Sequence, residues 1–311
     1  MAALFFIIIA SFLIFGGLFA LLVTYLNRDN IAFFQRTKGK TTGFTSSVIR
    51  SDNKSVTEEF SLSASGGFNL DGYIKFPAEQ KKKYPAFIIL GGLFTGKELL
   101  TLMDDIQKTE PFITVTIDYP YEGEKQISGM KLIRSIPEIR NAGLNTVRGL
   151  LLLIDTLKDR TDIDRDRIFM IGVSFGSFFG LAAAACDPSV KLTAVLYGGG
   201  HINPLIAANL PFRIPGINQL IGLAGSWIVR PLEPLQYVHS ISPRPLLIIA
   251  GKNDPKFPYR CAQALYNRAK EPKEIIWFSS AHPQPTRNQL VSELTVTVVK
   301  WLKEHEYISE D

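Results

Sequence analysis

The sequence predicts a doubly wound α/β fold, a mostly parallel sheet with antiparallel strands at its N-terminal side and helices on both faces. Three observations lead there. Short continuous apolar runs recur at 86–90, 113–117, 168–171, 192–197, 246–250 and 275–278, the pattern of strands buried on both faces. Helical patterns alternate with them, at 97–107, 142–158, 175–186, 259–269 and 288–304, which is the rhythm of repeated βαβ units. Ahead of them, VTEEFSLSASGGFNLDGYIKFP alternates on either side of Gly66-Gly67 and reads as an antiparallel hairpin.

The bulk numbers fit one domain. A chain of 311 residues, 46% hydrophobic and 20% charged, can bury a large core and is not a disordered segment. The net charge of +5 is dispersed, and the one tight basic cluster, Lys81-Lys82-Lys83, has no interleaved aromatics. Nucleic acid is therefore not an expected partner, because a phosphate footprint needs a basic stripe. Cys186 and Cys261 lie far apart, and His201, His239, His282 and His305 are scattered, so neither a metal site nor a cofactor is expected.

At the N-terminus, residues 2–26 contain no charged side chain and are long enough to cross a hydrocarbon core as a helix. With no basic residue before the run and no small-residue cleavage site after it, an uncleaved single-span anchor over 1–27 is expected in place of a signal peptide. Arg28, Arg36, Lys38 and Lys40 follow the span, so the positive-inside rule puts the domain in the cytoplasm. Residues 28–55, rich in Thr, Ser, Lys and Gly, read as a tether. The domain proper is expected over 56–311, with an apolar, Pro-rich insertion at about 199–240.

Gly172-Val173-Ser174-Phe175-Gly176 matches G-x-S-x-G between the strand run IFMI and a helical pattern. Three fixed positions are a weak motif, and the strand-turn-helix setting is what gives it weight. A hydroxyl at such a turn stands above the sheet edge, which makes Ser174 the candidate nucleophile. It needs a base and an orienting acid. His282 follows the last strand run by the short loop SSAH, at the carboxyl edge where ligands gather. His239 precedes a strand at the opposite edge, and His305 lies in the last helix. Asp254, in GKNDPKFP after the strand LLIIA, is the candidate acid, and Glu233 in the insertion is the reserve. The order Ser174, Asp254, His282 is nucleophile, acid, base.

A tetrahedral oxyanion also needs two preorganised donors. One is the N–H of Phe175. The second is expected from the turn Gly91-Gly92-Leu93-Phe94-Thr95-Gly96, through Leu93 or Phe94, with Gly91 and Gly92 letting the backbone approach the substrate. By itself that turn reads equally well as a plain tight turn.

The combination resembles the α/β-hydrolase superfamily over roughly residue 56 to the C-terminus. DIDRDRIFMIGVSFGS is similar to the nucleophile strand of the dienelactone-hydrolase and prolyl-oligopeptidase-like branch, and SPRPLLIIAGKNDPKFP with SSAHP to its acid and histidine segments. The resemblance implies a serine hydrolase in which Ser174 attacks, His282 transfers the proton and Asp254 holds the imidazole. Many relatives carry His-Gly where this chain has Gly91-Gly92, and the nucleophile is serine, so cysteine chemistry is not expected.

The resemblance also implies that the insertion caps the active-site edge. Its segment 201–237 carries only Arg213, Arg230 and Glu233 as charges and reads as an apolar inner face, with Trp227, for a small acyl ester or thioester. Its apolar residues could equally pack on the core or against a membrane. Arg213 and Arg230 are candidate partners for a substrate anion. A peptidase or acyltransferase would use the same triad, and a non-catalytic binding protein on a hydrolase fold is the remaining alternative.

Overall fold

The computed structural model describes the backbone of residues 2–79, 83–92, 111–121, 123, 130–208, 210, 216–283 and 288–308. Among the described residues, nine strands form one sheet in the order β1-β2-β3-β5-β4-β6-β7-β8-β9. β1 (Thr41–Ser51), β2 (Ser55–Ala64) and β3 (Phe68–Pro77) form the antiparallel side. β3 joins the rest antiparallel through β5 (Ile113–Ile117). From there β4 (Tyr84–Leu90), β6 (Ile163–Val173), β7 (Val190–Leu196), β8 (Leu246–Gly251) and β9 (Lys273–Phe278) run parallel.

The continuous apolar runs have their physical reason in two cores. Along β4, Ala86, Ile88 and Leu90 enter one core while Phe87 and Ile89 enter the other. β6 divides Ile168 and Met170 from Phe169 and Ile171 in the same way, and β8 divides Leu246 and Ile248 from Leu247 and Ile249. Successive side chains on a strand point to opposite faces, so a strand covered on both sides is apolar at most positions, with small polar side chains such as Thr114, Thr116 and Thr193 buried among them. The first core is closed by α2 (Asn30–Thr37), α3 (Met130–Asp159), α4 (Gly176–Cys186) and α7 (Tyr259–Arg268). The second is closed by α8 (Asn288–Glu304) through Leu294, Val298 and Trp301.

Two expectations meet a different outcome. The segment 28–55, read as a tether, carries α2 and β1: Asp29 caps α2 by accepting the Ala32 N–H at 3.1 Å, and Phe34 is fully buried. α3 begins at Met130, ahead of residue 142, and contains Pro137 near its start. The helical pattern at 97–107 lies outside the described residues.

The membrane anchor is a correction. α1 (Ala2–Leu26) has its side chains described from Ile14 onward, and among the described residues no helix is long and apolar enough to cross a membrane. The end of α1 is tied to the domain: the Tyr25 hydroxyl donates to the carbonyls of Trp227 and Ile228 at 3.0 and 3.2 Å, and Arg230 Nε donates to the Leu26 carbonyl at 3.0 Å. The single-pass, cytoplasmic placement and the membrane as a partner fall with the anchor.

Burial also sets the chemistry of the two cysteines. Desolvation pushes the Cys186 thiol up to about 12 and the Cys261 thiol up to about 11. Because the thiolate is the reactive form, iodoacetamide at pH 8 is expected to modify neither in the native protein and both after denaturation, read by intact mass.

Candidate active site

The site grows from the carboxyl ends of β6, β8 and β9. β6 ends at Val173, and Ser174 takes a left-handed conformation, φ 55°, before α4 begins at Gly176. Only glycine fits on either side of this turn. A Cβ at Gly172 would lie 2.5 Å from Ser177 Cα, and one at Gly176 would lie 2.5 Å from the Leu90 carbonyl oxygen. The Ser174 N–H donates to the Leu196 carbonyl at 2.8 Å, and Ser177 Oγ donates to the Ser174 carbonyl at 2.6 Å. The turn is therefore pinned to β7 and to α4, with its hydroxyl directed away from the sheet.

Ser174 Oγ lies 2.9 Å from His282 Nε2, and His282 Nδ1 lies 2.6 Å from Asp254 Oδ2. Asp254 is 5% exposed and His282 9%. The other carboxylate oxygen of Asp254 accepts the N–H groups of Lys256 and Phe257 at 2.8 and 3.0 Å. One oxygen is thus anchored by the turn that follows β8, which leaves the second to face the imidazole. A serine, a histidine and a buried carboxylate linked in this way can pass a proton from hydroxyl to imidazole while the carboxylate holds the ring.

The histidine ring is held on two sides. Phe257 stacks on it, with centroids 5.6 Å apart and planes 10° from parallel, and Tyr197 meets it edge-on at 6.0 Å and 85°. The Tyr197 hydroxyl also bonds Ser280 Oγ, fixing the loop that carries His282. Sequence reading missed these supports. Phe257 follows Asp254 by three residues and Tyr197 ends a strand run, which are the only signals the chain offers for them.

The Phe175 N–H is the first backbone donor after the nucleophile. Leu93 and Phe94 lie outside the described residues, but Gly91 and Gly92 sit at the carboxyl end of β4, beside the turn. There the Tyr119 hydroxyl donates to the Gly91 carbonyl at 2.5 Å. Desolvation pushes the Tyr119 phenol far up, which keeps it a donor. Its ring stands edge-on to Phe175 at 6.2 Å, so one residue after β5 braces both the glycine turn and the helix start. Sequence reading missed Tyr119 as well.

The remaining expected residues scatter. In the insertion, α5 (Ile202–Ala208) and α6 (Ile217–Ile228) pack closely, a Cβ at Gly222 lying 2.6 Å from the Asn203 carbonyl. Ile202 and Leu205 join the core, whereas Leu220, Leu223, Trp227 and Ile228 of α6 are exposed. The Trp227 carbonyl accepts the Tyr25 hydroxyl at 3.0 Å. Arg230 is committed to the Leu26 carbonyl, and Arg213 lies outside the described residues. Glu233, the reserve acid, accepts the N–H groups of His201, Ile202 and Leu235 at 3.0, 2.8 and 3.2 Å. It fastens the start of α5 and stands apart from the imidazole. Among the described residues, no group of three His, Cys, Asp or Glu side chains is arranged to hold a metal.

No family model matches the chain. It is 28% identical over 148 residues to the uncharacterized protein YfhR of Escherichia coli O157:H7, covering 45% of this chain and 49% of that one. It is 29% identical over 138 residues to 2,6-dihydropseudooxynicotine hydrolase of Paenarthrobacter nicotinovorans, covering 43% and 33%. The chain thus spans half or less of the length of these curated relatives. Among solved structures, an acetyl xylan esterase from Paenibacillus sp. R4 superposes with a TM-score of 0.66 at 15% identity, covering 87% of this chain and 95% of that one. The fold is that of the α/β hydrolases.

Proposed function

We propose that the chain is a serine hydrolase of the esterase type, of the dienelactone-hydrolase and prolyl-oligopeptidase-like branch, cleaving ester or thioester bonds of small acyl substrates. The observation that carries the reading is the unbroken chain of contacts Ser174 Oγ, His282 Nε2, His282 Nδ1, Asp254 Oδ2, at 2.9 and 2.6 Å. Resemblance to a protein named as a hydrolase and to a structure named as an acetyl xylan esterase supports ester cleavage.

In this reading His282 takes the Ser174 proton as Oγ attacks the acyl carbon. The tetrahedral oxyanion is received by the Phe175 N–H and by a second N–H from the glycine turn, where Leu93 or Phe94 remains the proposed donor. The proton then passes from Nε2 to the leaving oxygen or sulfur. Water enters by the same route in reverse and frees the acid from the acyl-enzyme. Half-buried Phe175 and Phe257 offer apolar surface beside the nucleophile for the acyl group.

The test is a panel of aryl acetates, butyrates and hexanoates with matching thioesters and a short peptide amide. Hydrolysis of esters or thioesters, stopped by a fluorophosphonate, is the expected result. A folded protein that cleaves none of them overturns the reading.

A further inference from the structure

We infer that Tyr197 is a positioning residue for the proposed reaction, holding His282 in register with Ser174 and Asp254 through its bond to Ser280. The inference rests on the serine-esterase reading and adds to it the side chain that keeps the three groups aligned.

Tyr197 stands where the three triad-bearing segments meet. It directly follows β7, whose last carbonyl, on Leu196, accepts the Ser174 N–H at 2.8 Å. Its own N–H donates to the Ile249 carbonyl of β8 at 2.7 Å. Its ring lies against Gly251, the last residue of β8, where a Cβ would stand 2.7 Å from Tyr197 Cε1 and 3.4 Å from Asp254 Cβ. Its hydroxyl reaches Ser280, two residues before His282. One fully buried side chain thus touches the acid segment and the base loop, from the backbone position next to the one that holds the nucleophile.

The backbone is held there against its own preference. Tyr197 sits at φ 51°, a left-handed conformation rare for a bulky residue. Such a conformation persists only where the surroundings over-determine it, and here the Ile249 carbonyl, Gly251 and Ser280 do so together. Desolvation pushes the Tyr197 phenol up, against the pull of its bond to Ser280, and the Asp254 carboxylate adds to the rise. The phenol therefore keeps its proton and acts through position, not as a charge.

The base loop needs this anchor. Between β9 and His282, Ser279 and Ala281 are exposed, so the loop is tied down at Ser280. The Ser280 carbonyl accepts the Asn253 N–H at 3.3 Å, a long bond for an amide, which leaves the side-chain bond to Tyr197 as the firmer tie. Tyr197 belongs to the second core, whereas Phe257 packs against the first. The imidazole between them is held by rings rooted on opposite faces of the sheet, and the Ser280 bond sets how far the loop brings it in.

The experiment uses the full chain. Tyr197→Phe removes one hydroxyl and keeps the ring, and Ser280→Ala removes its partner. Each is expected to lower kcat for an aryl acetate about tenfold with KM within about twofold, the cost of a base held slightly out of line. The double variant is expected to be no slower than the slower single one, because both changes break the same bond. Should Tyr197→Phe not fold, Ser280→Ala, in a partly exposed loop, carries the test. Nitrogen NMR of isotopically labelled histidine adds a readout that needs no turnover. At about pH 8.5, above the usual imidazole range, the His282 signals are assigned by their loss in His282→Gln. They are expected to show one neutral tautomer in the wild type, protonated on Nδ1 toward Asp254, and a mixture in both variants. A tautomer unchanged in both variants, or a mixture already present in the wild type, overturns the proposal. So does a double variant whose loss of kcat is the product of the single losses, or a rise in KM with kcat unchanged. If the wild type neither cleaves esters nor reacts with a fluorophosphonate, the serine-esterase reading falls, and the tautomer alone decides the role of Tyr197.

Discussion

Replacing Ser174 by alanine is expected to lower kcat for an ester by about 10⁵-fold, as loss of the nucleophile does where the remaining site still binds and polarises the substrate. The change removes one oxygen and leaves the main chain its bonds to Leu196 and from Ser177. Thermal stability is therefore expected to stay within a few degrees, so inactivity would not reflect unfolding. Steady-state kinetics beside a melting curve checks both. Retention of more than a tenth of the activity would remove Ser174 from the chemistry.

The second large effect is expected from Asp254→Asn, about 10⁴-fold in kcat at neutral pH. An asparagine of nearly the same shape can still accept the Lys256 and Phe257 N–H groups through its carbonyl oxygen. Its amide nitrogen then faces His282 Nδ1 as a donor, so the neutral ring carries its proton on Nε2 and cannot accept one from Ser174. The carboxylate that would stabilise the imidazolium is lost as well. The rate of fluorophosphonate labelling is expected to fall in parallel with kcat, because both need the same proton transfer. A variant that labels at the wild-type rate would contradict this role for Asp254.

How much of this was legible in the chain follows from where each signal lives. Strands buried on both faces are apolar at most positions, buried Thr114, Thr116 and Thr193 notwithstanding, so β4 to β8 show as runs, and the sheet-edge rule then puts Ser174, Asp254 and His282 at one end. Neighbour relations were not legible. β5 lies between β3 and β4, and nothing in ITVTI says which strands flank it. β1 went unread because TTGFTSSVIRS is an exposed edge strand and carries no alternation of burial. The supports of the triad were also hidden: Tyr119, Tyr197 and Phe257 act through rings and hydroxyls that meet partners 25 to 85 residues away. Composition misled at two places. An uncharged N-terminal run met the length rule for a membrane span, which no helix among the described residues satisfies. The arginines of the insertion drew attention because they stand in apolar sequence, yet Arg230 is spent on the end of α1 and Arg213 lies outside the described residues.

The central claim is that Ser174 is the nucleophile of a Ser-His-Asp site. Its most direct test is the peptide map of the native protein after reaction with a fluorophosphonate. The account predicts one adduct per chain, on the peptide containing Ser174, absent in Ser174→Ala and slowed in Asp254→Asn. An adduct on another residue, or none on a folded protein, would contradict it.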